Sequence, residues 1–152
     1  MACFYHRNRH IASEPIDTTT FREQTLRMSL TPEEASRYSR QTILPEIGTA
    51  GQERLKASAV LCIGAGGLGS PVIMYLAAAG VGKIGLIDPD NVDLTNLHRQ
   101  VLHGNDFINQ PKLISARDRI RATNPHVEVI AHPGKFNSDN ALEILADYDV
   151  LI

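Results

Sequence analysis

One stretch, residues 60–90, constrains the fold of this chain more than any other. Its start overlaps an apolar run, Ala59–Ile63, that is typical of a strand buried on both faces. The run leads directly into a glycine-rich loop at residues 64–69, GAGGLG, which is a G-x-G-x-x-G pattern with one additional glycine. An apolar helix follows, with Pro71 suited to its first turn and Gly80 to its end. This order predicts the first strand and helix of a β-α-β unit.

The second strand of the unit is predicted over residues 83–87, and Asp88 lies at its carboxyl end. Glycines let the loop backbone approach a phosphate without a Cβ in the way, and the free N–H groups at the helix start favour an anion. A carboxylate about 20 residues after the loop can accept hydrogen bonds from a ribose. The alternative is a glycine turn needed only for close helix–strand packing. Because strand, loop, helix and acid occur together, we predict nucleotide binding.

Composition limits the class of protein. The 152 residues, 43% of them hydrophobic, fit one soluble domain of ordinary size. A net charge of −2 with interspersed charges argues against nucleic-acid binding. No apolar run approaches the roughly 18 residues that a membrane span needs. The two cysteines, Cys3 and Cys62, provide no disulfide framework, so we predict a cytoplasmic location without membrane attachment.

Residues 1–27 show no apolar periodicity and no segment typical of a secretory signal. Cys3, His6 and His10 have the spacing C-x2-H-x3-H, which would supply half of a metal site, but no second half follows nearby. We therefore predict a disordered tail over residues 1–27 and no metal site. Met28 is an alternative start, because organised sequence begins just after it.

Residues 28–152 are predicted to form one nucleotide-binding unit that is incomplete at its carboxyl end. Thr31, Pro32 and Glu34 have the pattern of a helix start with a capping box. From spacing alone, the helix that follows, with Arg37 to Arg40 on it, is expected to be amphipathic and solvated.

The remaining segments alternate between helix and strand. A glycine-rich break at 48–51 precedes short helices at 52–57 and 94–100, and strands are predicted at 127–131 and 149–152. A helix that begins at Pro111 is predicted to bury Leu113, Ala116 and Ile120. An amphipathic segment at 138–146 is predicted to bury Leu142, Ile144 and Leu145. The alternation predicts a Rossmann-like α/β fold, with a mostly parallel sheet between two helical layers. Because the chain stops within its fourth strand, we expect a fragment or a truncated product.

Two basic residues bear on which nucleotide is bound. Arg99 and Lys112 are predicted to lie near the glycine loop, on segments that follow the second strand. A dinucleotide pyrophosphate can be held largely by the helix start, whereas a triphosphate calls for side-chain cations and usually magnesium. Together with Asn96 these residues favour ATP, but the pattern alone leaves NAD open.

Several motifs occur in an order that resembles one family. They are Arg37-Tyr38-Ser39-Arg40-Gln41, the glycine loop, Ala79-Gly80-Val81-Gly82, Asp88, Asn96-Leu97-His98-Arg99-Gln100 and Gln110-Pro111-Lys112. Over about residues 29–152 the chain resembles the ThiF/MoeB-type adenylyltransferases, which are relatives of the ubiquitin-activating enzymes. Such enzymes activate ubiquitin-like sulfur carriers in molybdopterin and thiamine biosynthesis and in transfer-RNA thiolation. Which carrier and pathway would apply is left open.

The resemblance implies a reaction: with MgATP bound, the C-terminal glycine carboxylate of the carrier protein attacks the α-phosphate, giving an acyl-adenylate and pyrophosphate. It implies that the following residues bind ATP: Gly64, Gly66, Gly67, Gly69, Asp88, Thr95, Asn96, Leu97, His98, Arg99 and Lys112. Catalytic roles at the phosphates would fall to Asn96, Arg99 and Lys112, and Arg40 would reach into the site of the other subunit of a homodimer. A carboxylate is already a nucleophile, so His98 needs no acid–base role and is expected to be structural.

The family also has parts that these residues do not include. They are a magnesium-binding aspartate expected soon after residue 152, paired Cys-x-x-Cys zinc motifs, a later cysteine and the strands that grip the carrier. We therefore expect the parent protein to adenylylate a sulfur carrier, and the 152-residue chain to bind ATP weakly and turn over little. Two other hypotheses are an NAD-binding oxidoreductase domain, which would not need Arg99 and Lys112, and a non-catalytic dimerisation module.

Overall fold

The structure, a computed structural model, describes residues 29–152. The elements are α1 (Pro32–Arg37), α2 (Ser39–Thr42), α3 (Gly48–Ala57), β1 (Ala59–Ile63), α4 (Gly69–Ala79), β2 (Lys83–Ile87), α5 (Lys112–Thr123), β3 (Glu128–His132), α6 (Ala141–Leu145) and β4 (Val150–Leu151), with 3-10 turns at Leu94–Asn96 and Asn105–Phe107. The predicted tail and its Cys3, His6 and His10 lie outside the described residues, as does Met28.

The four strands form one parallel sheet in the order β3-β2-β1-β4. The chain moves outward from β1 through α4 to β2 and through α5 to β3, then crosses back through α6 to β4. Because parallel crossovers are right-handed, this reversal places α4 and α5 on one face and α6 on the other. The predicted Rossmann-like fold is confirmed.

Alternation along β1 divides the core between the two faces. Val60 and Cys62 pack with buried residues of α4 and α5, whereas Leu61 packs with Tyr148 and the residues of α6. Burial raises the pKa of the Cys62 thiol to about 12, which keeps it protonated and unreactive. The β1 sequence is therefore apolar at almost every position because both of its faces are covered.

The N-terminal helices cover the carboxyl end of α4. Gly80 ends α4 in the left-handed conformation, with φ of 86°. A Cβ at Gly80 would lie 2.6 Å from Cζ of Tyr38 and 2.7 Å from Nε2 of Gln52, so only glycine fits. The amide of Gln52 donates to the Ala79 carbonyl at 2.9 Å, which ties α3 to this helix end.

Several local predictions were wrong. Residues 48–51 do not break the chain, because Gly48 begins α3 with φ of 59° and packing against α2 overrides the low helix propensity of glycine. The helix predicted through Arg40 is interrupted at Tyr38, which is buried together with Glu34, so the segment is not merely a solvated helix. Leu142 is 84% exposed, since α6 is too short to bury a broad stripe.

The smaller differences concern element ends. The third strand begins one residue later than predicted, and β4 contains only two residues. On α5, Ala116 and Ile120 are buried and Leu113 packs against them, as predicted. No helix within residues 29–152 is long and apolar enough to cross a bilayer.

Candidate functional site

The glycine loop, residues 64–69, joins the carboxyl end of β1 to the start of α4. Gly64 has φ of 95° and donates its N–H to the Ile87 carbonyl at 2.8 Å. A Cβ at Gly69 would lie 2.0 Å from the Gly64 carbonyl oxygen, so the turn closes only with glycine there. Within the described chain, the backbone N–H groups of residues 66–69 donate no hydrogen bond. The loop therefore presents four adjacent unused donors at a helix start, which is a favourable arrangement for an anion.

Asp88 lies against this loop at the end of β2. Its Oδ2 accepts the Ala65 N–H at 2.7 Å and its Oδ1 accepts the Asp90 N–H at 2.9 Å. The carboxylate is buried, and each oxygen retains a lone pair for another donor. Asp88 thus both holds the loop in place and lies where the sequence predicted a ribose ligand.

Lys112 brings a buried cation to the same edge of the sheet. The residue is 4% exposed, so its charge is not an ordinary surface charge. Its ammonium lies 2.9 Å from Oδ2 of Asp90 and 3.7 Å from Oδ1 of Asp88. Its backbone N–H also donates to the Asp90 carbonyl at 3.0 Å, so the start of α5 is fixed to the end of β2.

The segment after β2 places Arg99 over the loop. A Cβ at Gly67 would lie 3.4 Å from Cδ of Arg99, so the arginine stem crosses the loop backbone. The Arg99 side chain is exposed, and its Nη1 lies 3.4 Å from Nε2 of His98. His98 is itself exposed, so it does not support the core. The guanidinium is free to turn toward a ligand on the loop.

The other predicted residues of this segment occupy one turn. Asp93 caps it, accepting the Thr95 N–H at 2.7 Å and the Thr95 hydroxyl at 2.6 Å, and these hydrogen bonds lower the pKa of Asp93. Asn96 and Leu97 follow in the turn and are partly exposed, and the Asn96 carbonyl accepts the Arg99 N–H at 3.1 Å. The turn therefore fixes the point from which Arg99 extends.

The fold keeps Arg40, another predicted site residue, away from the loop of its own chain. It is exposed on α2, and its neighbour Gln41 donates to the Ala79 carbonyl at the far end of α4. At about 1.5 Å per residue, the 11 residues of α4 separate the two regions by about 16 Å.

Two buried polar residues that the sequence analysis did not single out also lie at the loop. His103, 8% exposed, has Nε2 2.8 Å from the Ala65 carbonyl oxygen and Nδ1 3.0 Å from Oγ of Ser115. Burial, with a smaller effect of the Lys112 charge, lowers the pKa of His103. Gln100, 4% exposed, lies beside Gly66, and its Oε1 has no hydrogen-bond partner among the described residues. No local pattern in the sequence indicates that these two residues are buried, because they contact a loop that lies far away along the chain.

The ThiF family matches residues 38–152. The chain belongs to the ThiF family. It is 51% identical over 125 residues to a sulfur carrier protein adenylyltransferase of Thermus thermophilus, an alignment covering 82% of this chain and 46% of that protein. It is 53% identical over 119 residues to the adenylyltransferase and sulfurtransferase MOCS3 of Culex quinquefasciatus, covering 78% of this chain and 27% of the relative.

Solved structures agree with the ThiF assignment. The E. coli tRNA N6-threonylcarbamoyladenosine dehydratase TcdA, crystallised in complex with ATP, superposes with a TM-score of 0.72 at 27% identity. The match covers 77% of this chain and 47% of TcdA. This chain spans about a quarter to a half of the length of the curated relatives it matches.

Proposed function

We propose that the chain forms the ATP-binding part of an adenylyltransferase that activates the C-terminal glycine of a ubiquitin-like sulfur-carrier protein. The observation that carries the proposal is the edge where β1 and β2 end, with four unused loop N–H groups, the buried Lys112 and the Arg99 stem above Gly67. The names of the adenylyltransferase relatives and the ATP complex of TcdA support it.

The groups at this edge match the charge of a triphosphate. The loop N–H groups would bind phosphate oxygens, Asp88 would accept the ribose hydroxyls, and Asn96 with Arg99 would bind the outer phosphates. The ammonium of Lys112 would exchange its contact with Asp90 for a phosphate oxygen. Both cations would then stabilise the negative charge that develops on the departing pyrophosphate.

The carrier carboxylate would attack the α-phosphorus, forming the acyl-phosphate bond as the bond from the α-phosphorus to the bridging oxygen of pyrophosphate breaks. The nucleophile is already ionised, so the protein contributes position and charge stabilisation rather than a general base. When bound, magnesium would neutralise part of the phosphate charge. Within residues 29–152 no three His, Cys, Asp or Glu side chains come together as a metal site.

The test is carrier-dependent exchange of labelled pyrophosphate into ATP, together with ATP binding by calorimetry. We expect the 152-residue chain to bind ATP and to exchange little, and a longer protein that contains it to exchange with a sulfur carrier. Binding of NAD in place of ATP would support the oxidoreductase hypothesis and overturn the proposal. We also propose that the reaction takes place in the cytoplasm, because the two cysteines provide no disulfide framework.

We further propose that the chain acts as a homodimer in which Arg40 serves the site of the other subunit. Arg40 is exposed away from its own loop, and Ile43 and Leu44, three and four residues further along the chain, are exposed apolar residues suited to an interface. Mixing an Arg40→Ala chain with a Lys112→Ala chain should restore one intact site per mixed dimer. If light scattering shows only monomer, this part of the proposal fails.

A further inference from the structure

The glycine loop is held on both sides of a single residue, Ala65. Its N–H donates to Asp88, and its carbonyl oxygen accepts from His103 at 2.8 Å and from the Ser70 hydroxyl at 3.2 Å. The backbone N–H groups of the next four residues have no acceptor among residues 29–152. The direction of those N–H groups therefore depends on how firmly Ala65 is fixed.

The imidazole of His103 has a defined hydrogen-bonding state. A carbonyl oxygen can only accept, so Nε2 carries the hydrogen toward Ala65. Nδ1 of the neutral ring then accepts from the Ser115 hydroxyl at 3.0 Å. Burial lowers the pKa of His103, and the Lys112 charge adds to this effect. The hydrogen bond to the Ala65 carbonyl and the Asp88 charge oppose it but do not outweigh it, so the neutral form is favoured.

Ser115 connects the histidine to the cation of the site. Ser115 and Lys112 lie three residues apart on α5, one turn of helix, and both are buried. His103 consequently bridges the glycine loop and the helix that positions the Lys112 ammonium. Any displacement of the ring would affect both groups that face the triphosphate.

We propose that His103 is a positioning residue of the nucleotide site, which fixes the glycine loop through Ala65 and sets its distance from Lys112 through Ser115. The inference rests on the proposed ATP binding, because its function is to align the loop and the cation on one ligand. His103 touches no reacting atom and acts through Ala65 and Ser115.

The experiment compares four variants of the 152-residue chain by ATP calorimetry and by amide hydrogen exchange at Ala65 and Ser70. His103→Phe fills the space without either hydrogen bond, His103→Gln can still donate toward the Ala65 carbonyl, and Ser115→Ala removes only the link to α5. Ile120→Val is the control, since it removes a buried methylene farther along α5 without touching the loop.

We expect His103→Phe to weaken ATP binding about tenfold and to lose exchange protection at Ala65 and Ser70. We expect His103→Gln to stay within about threefold of the wild type, with Ser115→Ala between the two and the control unchanged. Unchanged binding and exchange in His103→Phe would overturn the proposal. If Ile120→Val weakened ATP binding equally, the proposal would also be overturned, because the effect of His103→Phe would then reflect a general loss of stability.

The two proposals can fail separately. If the wild-type chain binds no ATP, the proposed function of this chain fails, and the exchange data still decide whether His103 fixes the loop. If the wild type binds ATP and His103→Phe binds equally well, only the role of His103 is overturned.

Discussion

The two ends of helix α4 differ in whether their backbone groups have hydrogen-bond partners within the chain. At its carboxyl end, the carbonyls of Ala77 and Ala79 accept side-chain amides of Asn124, Gln41 and Gln52 at 2.8, 3.2 and 2.9 Å. At its amino end, the backbone N–H groups of residues 66–69 have no partner within the described chain, although buried polar side chains surround the loop.

This difference indicates that the carboxyl end of α4 contributes to stability, whereas the amino end is the proposed binding site. A helix leaves unpaired N–H groups at one end and unpaired carbonyls at the other, and a buried end without partners is costly. The described chain satisfies the carboxyl end with its own side chains and provides no acceptor at the amino end, which is why we propose that a ligand binds there. A substitution at one end of α4 should therefore leave the other end intact.

The largest effect is expected from Gly80→Ala. The substitution forces a Cβ into a left-handed position at φ of 86° and to within 2.7 Å of Tyr38 and Gln52. Chemical denaturation should show a loss of about 3 kcal/mol of unfolding free energy, since backbone strain and overpacking add. The folded fraction should bind ATP as the wild type does.

Gly67→Ala is the matched change at the other end. The atoms nearest to its Cβ would all belong to the flexible Arg99 side chain, with Cδ at 3.4 Å, so stability should change by less than about 0.5 kcal/mol while ATP binding weakens. If Gly67→Ala lowers the free energy of unfolding more than Gly80→Ala does, the proposed difference between the two ends of α4 is wrong.

Lys112→Met should weaken ATP binding about 30-fold, equivalent to about 2 kcal/mol, because it removes a buried cation from the triphosphate. Calorimetry checks this, with Lys135→Met as an exposed lysine control. Retained affinity in Lys112→Met would mean that the ammonium serves only Asp88 and Asp90.

Arg99→Ala distinguishes ATP from a dinucleotide. We expect about a tenfold loss of ATP affinity and a stability change below about 0.5 kcal/mol, because the side chain is exposed. The exposed Arg119→Ala should have no effect on binding. If Arg99→Ala leaves nucleotide affinity intact, the NAD hypothesis gains support.

The smallest effect concerns the helices that cover the Gly80 end. Burial alone would raise the pKa of Glu34, but hydrogen bonds from Lys56 and Thr31 outweigh it and lower the pKa below its usual 4.5. The ionised form therefore stabilises the fold above about pH 4.5, and this contribution is lost as the pH falls through the lowered value.

In denaturation experiments, Glu34→Gln should cost about 1 kcal/mol at pH 7 and progressively less in acid. A constant difference between pH 7 and pH 3 would show that the charge of Glu34 does not contribute.

The sequence was most informative where one local pattern determined the structure. The strands β1 and β2 are buried on both faces and nearly uninterrupted in apolar residues, and the glycine loop and Asp88 follow from their position at the ends of these strands. Lys112 reaches the same edge from the start of α5. The side chain of Arg99 also lies beside the loop. These features depend on neighbours in sequence and on the handedness of the crossover.

The errors and omissions depend on distant contacts. His103 is buried because it bonds to Ala65, 38 residues away, and nothing local distinguishes it from an exposed histidine. Residues 48–51 form a helix because α3 packs on α2, and Leu142 is exposed because α6 is short. Propensity and periodicity do not contain this information.

The most direct test of the account is a nuclear magnetic resonance titration of the labelled chain with ATP. We predict that the backbone amides of residues 66–69 shift with saturable dependence on ATP, and that the amides of Gly80 and Gly82 at the other end of α4 change little. No shift at residues 66–69, or larger shifts at Gly80 and Gly82, would contradict the assignment of the loop as the triphosphate site.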